Sequence, residues 1–132
     1  MKQTSGNQPV GFFASRRASF RHAFRGLSFV FRSEANAKIH LVVTLAVISA
    51  GLYFDLSIDE WCSVVLAIGL VLVAEILNTA IEQLVDIVSP ENNESAGRVK
   101  DIAAAATLIT ALAAAVVGIL IFGPRLLTVL NL

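Results

Sequence analysis

The chain has 132 residues, of which 56% are hydrophobic and 15% are charged, and its formal net charge is zero. Together with a mean hydropathy of +0.75, this composition excludes an ordinary soluble domain and indicates a membrane protein with a single domain. A zero net charge gives no reason to expect nucleic acid as a partner. The single cysteine, Cys62, excludes an intramolecular disulfide, and no set of cysteines and histidines predicts a zinc site.

The first quarter of the chain divides into two stretches. Residues 1–14 are expected to be a flexible N-terminus, and they hold no apolar stretch with a small-residue cleavage site that would predict a removed secretory signal. Residues 15–33 interleave arginines with phenylalanines, which predicts an amphipathic helix on the membrane surface, with its arginines toward anionic headgroups. This surface helix either anchors the chain only or also helps to shape a site.

Three apolar segments follow, and each predicts a transmembrane helix, over residues 36–55, 61–88 and 100–122. The third contains an uninterrupted apolar run long enough to cross a hydrocarbon core of ~30 Å. The first is shorter, and it would span by thinning the bilayer, by snorkelling of Lys38, or as part of a longer helix that begins before Glu34. A soluble bundle would require an amphipathic third segment, which the sequence lacks. We therefore predict an all-α membrane domain over residues 15–132.

The placement of basic residues predicts the orientation in the membrane. Six of them lie between residues 16 and 38, the loop over 55–60 is acidic, and Arg98 and Lys100 lie between the second and third spans. By the positive-inside rule the N-terminus and the second loop are cytoplasmic, while the C-terminus faces outward. Arg125 alone lies on the wrong side for this rule.

The second span carries the strongest functional signal. At about 100° per residue, its polar side chains share one face of a helix: Glu75, Asn78, Thr79, Glu82 and Asp86. Ionisable groups within a membrane cost roughly 2.5–3.5 kcal/mol each, so this face needs cations, water or another helix as partners. The deepest carboxylate, Glu75, suits a general base, whereas Glu82 suits a divalent cation that carries nucleotide phosphates. Alternatively, the carboxylates pair only with arginines of the surface helix.

Smaller polar clusters lie where the other two spans begin. Glu34 and Lys38 are spaced to form a helical ion pair, and His40 suits an interfacial hydrogen bond. Lys100, beside Asp101, either neutralises phosphate oxygens or marks the cytoplasmic boundary. The sequence has no GxxxxGK[ST], GxGxxG or HRD motif, which excludes the P-loop and protein-kinase folds as the source of any nucleotide chemistry.

Three stretches of sequence resemble one known family. EILNTAIEQLVD at 75–86 and GRVKDIAAAATLI at 97–109 closely resemble the prokaryotic diacylglycerol kinase family, and SEANAKIHL at 33–41 is similar to the ExNxxxH pattern of its undecaprenol kinases. The resemblance covers residues 20–122. It implies a homotrimer in the bacterial cytoplasmic (inner) membrane that transfers the γ-phosphoryl group of MgATP to a membrane lipid alcohol, diacylglycerol or undecaprenol.

The resemblance also implies roles for individual residues. Glu75 matches the general base, and Glu34 and Glu82 match the carboxylates that bind Mg²⁺. Glu75 and Ala104 match positions that contact the lipid substrate. The positions that match the nucleotide site are Glu34, Asn78, Glu82, Glu91, Asn92, Asn93, Lys100 and Asp101.

Two other functional classes use comparable residues. A small oligomeric proton or cation pathway would need Glu75 to face its copies across a central axis, whereas a non-catalytic assembly subunit would use the carboxylates for pairing. A kinase requires Glu34, Glu82 and Lys100 to converge on a nucleotide. In each case the alanine-rich third span permits close helix approach, which predicts assembly with further copies of the chain.

Overall fold

The computed structural model describes residues 12–91 and 93–131. These residues form four α-helices and no strand: α1 (Phe12–Ser33), α2 (Ala35–Tyr53), α3 (Ile58–Val88) and α4 (Glu94–Val129). The last three helices are long and apolar enough to cross a membrane. For the described residues, this confirms the predicted all-α fold with three spans that follow an N-terminal helix.

Every helix begins before its predicted segment, α2 by one residue at Ala35 and α3 by three at Ile58. α1 begins at Phe12, inside the stretch expected to be flexible, and residues 1–11 lie outside the described part of the chain. α4 has 36 residues and passes both ends of the predicted segment 100–122, so its length of about 54 Å exceeds a hydrocarbon core of ~30 Å. Hydropathy marks only the apolar part of a helix, whereas backbone hydrogen bonds continue through its polar first turns, which Asn93 caps.

Short junctions connect the helices. Between α1 and α2 only Glu34 leaves helical geometry (φ −94°, ψ 126°), and its backbone N–H still donates to the Val30 carbonyl at 2.9 Å. Between α2 and α3 the chain turns at Asp55, which has φ 50°. Ser57 and Glu60 then form a capping box, in which each side chain accepts from the other residue's backbone N–H. These junctions make α1 continue almost directly into α2 and fold α3 back beside it.

The apolar core lies at one end of the bundle, which we call the distal end and define by residues 51–64 and 121–125. Leu56, Val64 and Ile121 are buried there, with Trp61 packed against them. Gly51 permits this packing, because a Cβ atom at that position would lie 2.7 Å from Cη2 of Trp61. Elsewhere large apolar side chains face outward, as a lipid-embedded bundle requires.

α4 packs chiefly on α3, whereas α2 makes fewer contacts with α3. An ion pair lies near each end of the antiparallel α3–α4 contact. Arg125 Nη2 lies 2.9 Å from a carboxylate oxygen of Glu60 at the distal end, and Lys100 pairs with Asp86 at the opposite end, which we call the polar end. The pair at the distal end gives Arg125, the exception to the charge rule, an acidic partner.

Candidate active site

The polar face of α3 is largely buried. Glu75, Asn78 and Thr79 retain 3%, 7% and 3% of their exposure, while Glu82 is half-buried and Asp86 is exposed. The predicted face therefore changes from buried to exposed toward the polar end of the bundle. Glu75 is the most enclosed carboxylate on it.

One hydrogen bond organises the middle of this face. Asn78 Nδ2 donates to Glu82 Oε1 at 3.0 Å, one helical turn away. This bond holds the amide so that Asn78 Oδ1 points elsewhere, and neither Oδ1 nor Glu75 Oε2 has a hydrogen-bond partner among the described residues. Because a buried polar atom without a partner costs about 1–3 kcal/mol, these two oxygens are suited to receive a ligand.

Glu34 and His40 bring α2 to the same site. Glu34 occupies the N-cap position of α2 without a side-chain cap bond, and both residues are half-buried. Glu34, His40 and Glu82 all lie within electrostatic range of the Glu75 carboxylate. The two carboxylates predicted to bind a metal therefore both lie within electrostatic range of the predicted general base, whose role stays a prediction.

The alternative ion pairs proposed from the sequence are not among those that the structure describes. The described pairs do not join Glu34 to Lys38, and they do not join the α3 carboxylates to Arg25 or Arg32. Instead, the only α3 carboxylate at the polar end with a described ionic partner is Asp86, which pairs with Lys100 of α4. None of the described ion pairs involves Glu75 or Glu82.

The remaining predicted positions on α4 differ in exposure. Lys100 is half-buried against α3, whereas Asp101 and Ala104 are exposed. Arg98 is engaged within its own helix, where it pairs with Glu94 at 2.6 Å. Of Arg98 and Lys100, Lys100 is therefore the one that the structure places in contact with the acidic face of α3.

The α3–α4 connection holds the predicted loop positions. Glu91 is exposed, and its carbonyl accepts a hydrogen bond from Ser89 Oγ at 3.5 Å. The Asn93 side chain accepts from the backbone N–H of Ser95 at 2.8 Å and so caps α4. Asn92 lies outside the described residues. Asn93 therefore has a structural role that the sequence prediction did not include.

The structure adds one residue that the sequence prediction missed. Thr107 on α4 retains 9% of its exposure, and its Oγ1 has no hydrogen-bond partner among the described residues. The signal was present in the sequence, because Lys100, Ala103 and Thr107 recur at helical spacing on one face of α4. A lone threonine in an alanine-rich helix did not by itself indicate a site.

The site does not contain a preformed metal cage. Within residues 12–91 and 93–131, no group of three or more histidine, cysteine, aspartate or glutamate side chains is arranged to hold a metal ion. Two carboxylates, Glu34 and Glu82, each lie within electrostatic range of Glu75. Such a pair suits an ion that arrives with other ligands, as Mg²⁺ does with phosphates.

Comparison with known proteins decides the family. The sequence profile of the prokaryotic diacylglycerol kinase family matches residues 21–122, most of the chain. The chain belongs to the prokaryotic diacylglycerol kinase family. Membership in this kinase family, together with the three apolar helices, makes the protein a lipid kinase with several membrane spans, which confirms the predicted family and enzyme class.

Individual family members cover nearly the same part of the chain. The chain is 40% identical over 108 residues to undecaprenol kinase of Bacillus subtilis (strain 168), with 82% of this chain and 88% of that protein covered. It is 30% identical over 110 residues to diacylglycerol kinase of Escherichia coli (strain K12), with 83% and 89% covered. It is 38% identical over 113 residues to diacylglycerol kinase of a Synechocystis strain, with 85% of this chain and 65% of that protein covered.

Proposed function

We propose that this member of the prokaryotic diacylglycerol kinase family transfers the γ-phosphoryl group of MgATP to the primary hydroxyl of a membrane lipid alcohol, with Glu75 as the general base. The observation that carries the proposal is a carboxylate oxygen, Glu75 Oε2, that is buried in a membrane-spanning helix without a hydrogen-bond partner among the described residues. A buried carboxylate oxygen without a partner can accept a hydrogen bond from an alcohol O–H and, in the reaction, its proton.

The proposed step requires one proton acceptor and extensive charge neutralisation. The lipid oxygen attacks the γ-phosphorus as the bond from that phosphorus to the bridging oxygen of ADP breaks, and Glu75 accepts the hydroxyl proton. Phosphoryl transfer depends mainly on positioning and electrostatics. Membership of this chain in a kinase family supports phosphoryl transfer as the reaction class. The burial of Glu75 supports its assignment as the general base.

Glu34 and Glu82 are the residues that would hold Mg²⁺. Mg²⁺ in nucleotide sites is bound through one or two carboxylates together with phosphate oxygens and water, so the absence of a three-residue cage among the described residues is compatible with this role. The hydrogen bond from Asn78 fixes one oxygen of Glu82 and leaves the other for a ligand. When bound, the ion would neutralise charge on the transferred phosphoryl group.

The nucleotide would extend from these carboxylates toward the α3–α4 connection. Lys100 would exchange its contact with Asp86 for a phosphate, which is feasible because the side chain of Asp86 is 60% exposed and the pair is weakly held. Asp101 and the connection residues Glu91, Asn92 and Asn93 would contact the nucleoside. The position of Lys100 across from the acidic face of α3 supports this direction.

Undecaprenol is the acceptor that we favour, with diacylglycerol as the alternative. Both present a primary hydroxyl near the headgroup region. The ExNxxxH pattern of residues 34–40 and the 40% identity to an undecaprenol kinase support the prenol. Ala104 is exposed on α4, about one turn from Lys100, and is available to a lipid chain.

We further propose that the kinase is a homotrimer in the bacterial inner membrane, with the N-terminus cytoplasmic and the C-terminus outward. The α4 side chains Ile119 and Leu120 are 69% and 70% exposed, so this helix has apolar surface available for other copies as well as for lipid. The distribution of basic residues supports the orientation.

The decisive experiment measures ATP-dependent phosphorylation by purified protein in mixed micelles, with undecaprenol and diacylglycerol compared under identical conditions. We expect Glu75→Gln to lower kcat by a factor of about 100 or more, as loss of a general base does. Asp59→Asn is the matched control, because Asp59 is an exposed carboxylate at the distal end of the same helix.

The outcomes separate the parts of the proposal. Loss of turnover in Glu75→Gln with full activity in Asp59→Asn supports Glu75 as the base, and the lipid with the higher kcat/KM is the preferred substrate. Full activity in Glu75→Gln would remove Glu75 from the reaction. Failure of the folded wild-type protein to phosphorylate either lipid with MgATP would refute the proposed donor and acceptors.

A further inference from the structure

Three buried polar atoms of this bundle carry no hydrogen bond to any described residue: Glu75 Oε2, Asn78 Oδ1 and Thr107 Oγ1. Their residues retain 3%, 7% and 9% of their exposure. Buried polar side-chain atoms in native proteins almost always have a partner, so each exception requires an explanation. The three atoms lie on α3 and α4, which pack on each other.

The ion pairs between α3 and α4 fix which residues face each other. About two turns back from Asp86 along α3 lies Thr79, and about two turns onward from its partner Lys100 along α4 lies Thr107. Thr107 therefore faces the level of Asn78 and Thr79, with Glu75 one turn farther along. Thr107 is buried because α4 packs chiefly on α3.

The hydroxyl of Thr107 is not used by its own helix. A helical serine or threonine commonly donates to the carbonyl four residues before it. Thr110 does so, with Oγ1 at 3.2 Å from the Ala106 carbonyl, and Thr128 does so with the Pro124 carbonyl at 2.9 Å. Thr107 Oγ1 makes no such bond within the described structure. Its hydroxyl is thus available to a group in the α3–α4 interface.

The three atoms complement one kind of ligand. Glu75 Oε2 and Asn78 Oδ1 only accept hydrogen bonds, whereas a threonine hydroxyl both donates and accepts. An oxygen that carries a proton can donate to the carboxylate and accept from Thr107 at the same time. A cation would leave the Thr107 proton without an acceptor. An anion would be repelled by Glu75 Oε2 and Asn78 Oδ1, which have no proton to donate.

We propose that Thr107 and Glu75 form a hydroxyl-binding site beside Asn78, between α3 and α4, in which Thr107 donates a hydrogen bond to an O–H oxygen that donates to Glu75. The O–H group belongs either to the lipid alcohol or to a water molecule beside the base. This inference rests on the proposed kinase function and adds a substrate-contacting residue on α4.

The test compares Thr107→Val, which keeps the shape and removes the hydroxyl, with Thr107→Ser, which keeps the hydroxyl. Thr110→Val is the matched control, because its hydroxyl is bound by its own helix. For each variant, kcat and KM are measured with the lipid alcohol in mixed micelles. Lipid-independent ATP hydrolysis and binding of dioctanoylglycerol or undecaprenol without nucleotide are measured in parallel, with thermal unfolding as the check on folding.

We expect Thr107→Val to lower kcat/KM for the lipid about tenfold, the value of one hydrogen bond of about 1.4 kcal/mol, while Thr107→Ser and Thr110→Val stay near wild type. A loss confined to lipid binding and phosphorylation identifies the lipid hydroxyl as the occupant. An equal loss of lipid-independent ATP hydrolysis identifies water.

Wild-type activity in Thr107→Val, or equal losses in Thr107→Val, Thr107→Ser and Thr110→Val, would overturn this inference and leave the kinase function intact. Absence of both lipid binding and lipid phosphorylation in the wild-type protein would instead overturn the proposed function, and this inference with it.

Discussion

Lys100 on α4 forms an ion pair with Asp86 on α3, so the lysine assigned to the nucleotide already has a carboxylate partner. The side chains are 36% and 60% exposed, and pairs of this kind contribute about 0–1 kcal/mol. A nucleotide phosphate can therefore compete with Asp86 for Lys100 at small cost.

The first prediction concerns this competition. Lys100→Met should raise KM for MgATP about tenfold or more, because a charge-assisted hydrogen bond to phosphate is lost. Asp86→Asn should lower KM by up to about fivefold, because it removes a competitor worth at most about 1 kcal/mol. Steady-state kinetics at saturating lipid measure both changes. Arg98→Met is the control, since Arg98 pairs with Glu94 of its own helix, and an unchanged KM in Lys100→Met would leave Lys100 as a membrane-boundary residue only.

The second prediction tests the metal assignment. Glu82→Gln should raise the Mg²⁺ concentration for half-maximal activity about tenfold or more, because it removes an anionic ligand. Asn78→Leu should raise this Mg²⁺ concentration less, since it removes only the hydrogen bond that orients Glu82. Activity titrated with free Mg²⁺ at fixed ATP provides the measurement. A lower kcat with an unshifted Mg²⁺ titration in Glu82→Gln would place the metal elsewhere.

The third prediction concerns the ion pair at the distal end. Glu60 and Arg125 are 28% and 29% exposed, so the double-mutant cycle of Glu60→Gln and Arg125→Met should show a favourable coupling between the two charges. Glutamine retains the capping box with Ser57, so the cycle isolates the ionic interaction. Thermal unfolding in detergent micelles measures it, and additive effects of the two substitutions would show that the pair contributes nothing.

The fourth prediction concerns the contact between Gly51 and Trp61. Gly51→Ala should destabilise the fold by about 1–3 kcal/mol, because the new Cβ would lie 2.7 Å from Cη2 of the indole ring. Gly69→Ala is the matched control, since its Cβ would meet no atom within 4 Å, and helix propensity predicts stabilisation of up to about 1 kcal/mol there. Thermal unfolding of both variants decides the matter. Equal stability of Gly51→Ala and wild type would mean that Trp61 relaxes without cost.

Most of the fold could be predicted from the sequence, because hydropathy locates spans and helical periodicity locates faces. Glu75, Asn78 and Thr79 were expected on one face of one helix and lie buried on it. The helix ends were less predictable. The polar first turns of α4 depend on the cap at Asn93 and on the pair of Glu94 with Arg98, which hydropathy does not register.

Contacts between helices were the part that could not be predicted. Asp86 and Lys100 are 14 positions apart, and Glu60 and Arg125 are 65 apart, so their pairing depends on the relative translation of α3 and α4. The proposed role of Thr107 also depends on the relative translation of α3 and α4. The pattern of one helix contains no information about which residue of the next helix lies opposite.

The two ion pairs between α3 and α4 also favour one relative translation of the two helices along their axes. In lipid the packing of α4 on α3 rests on van der Waals contact and polar interactions and not on a hydrophobic driving force. A displacement of one turn would separate Asp86 from Lys100 and Glu60 from Arg125 together. Together the two pairs therefore favour the relative translation of α3 and α4 that places Thr107 at the level of Asn78.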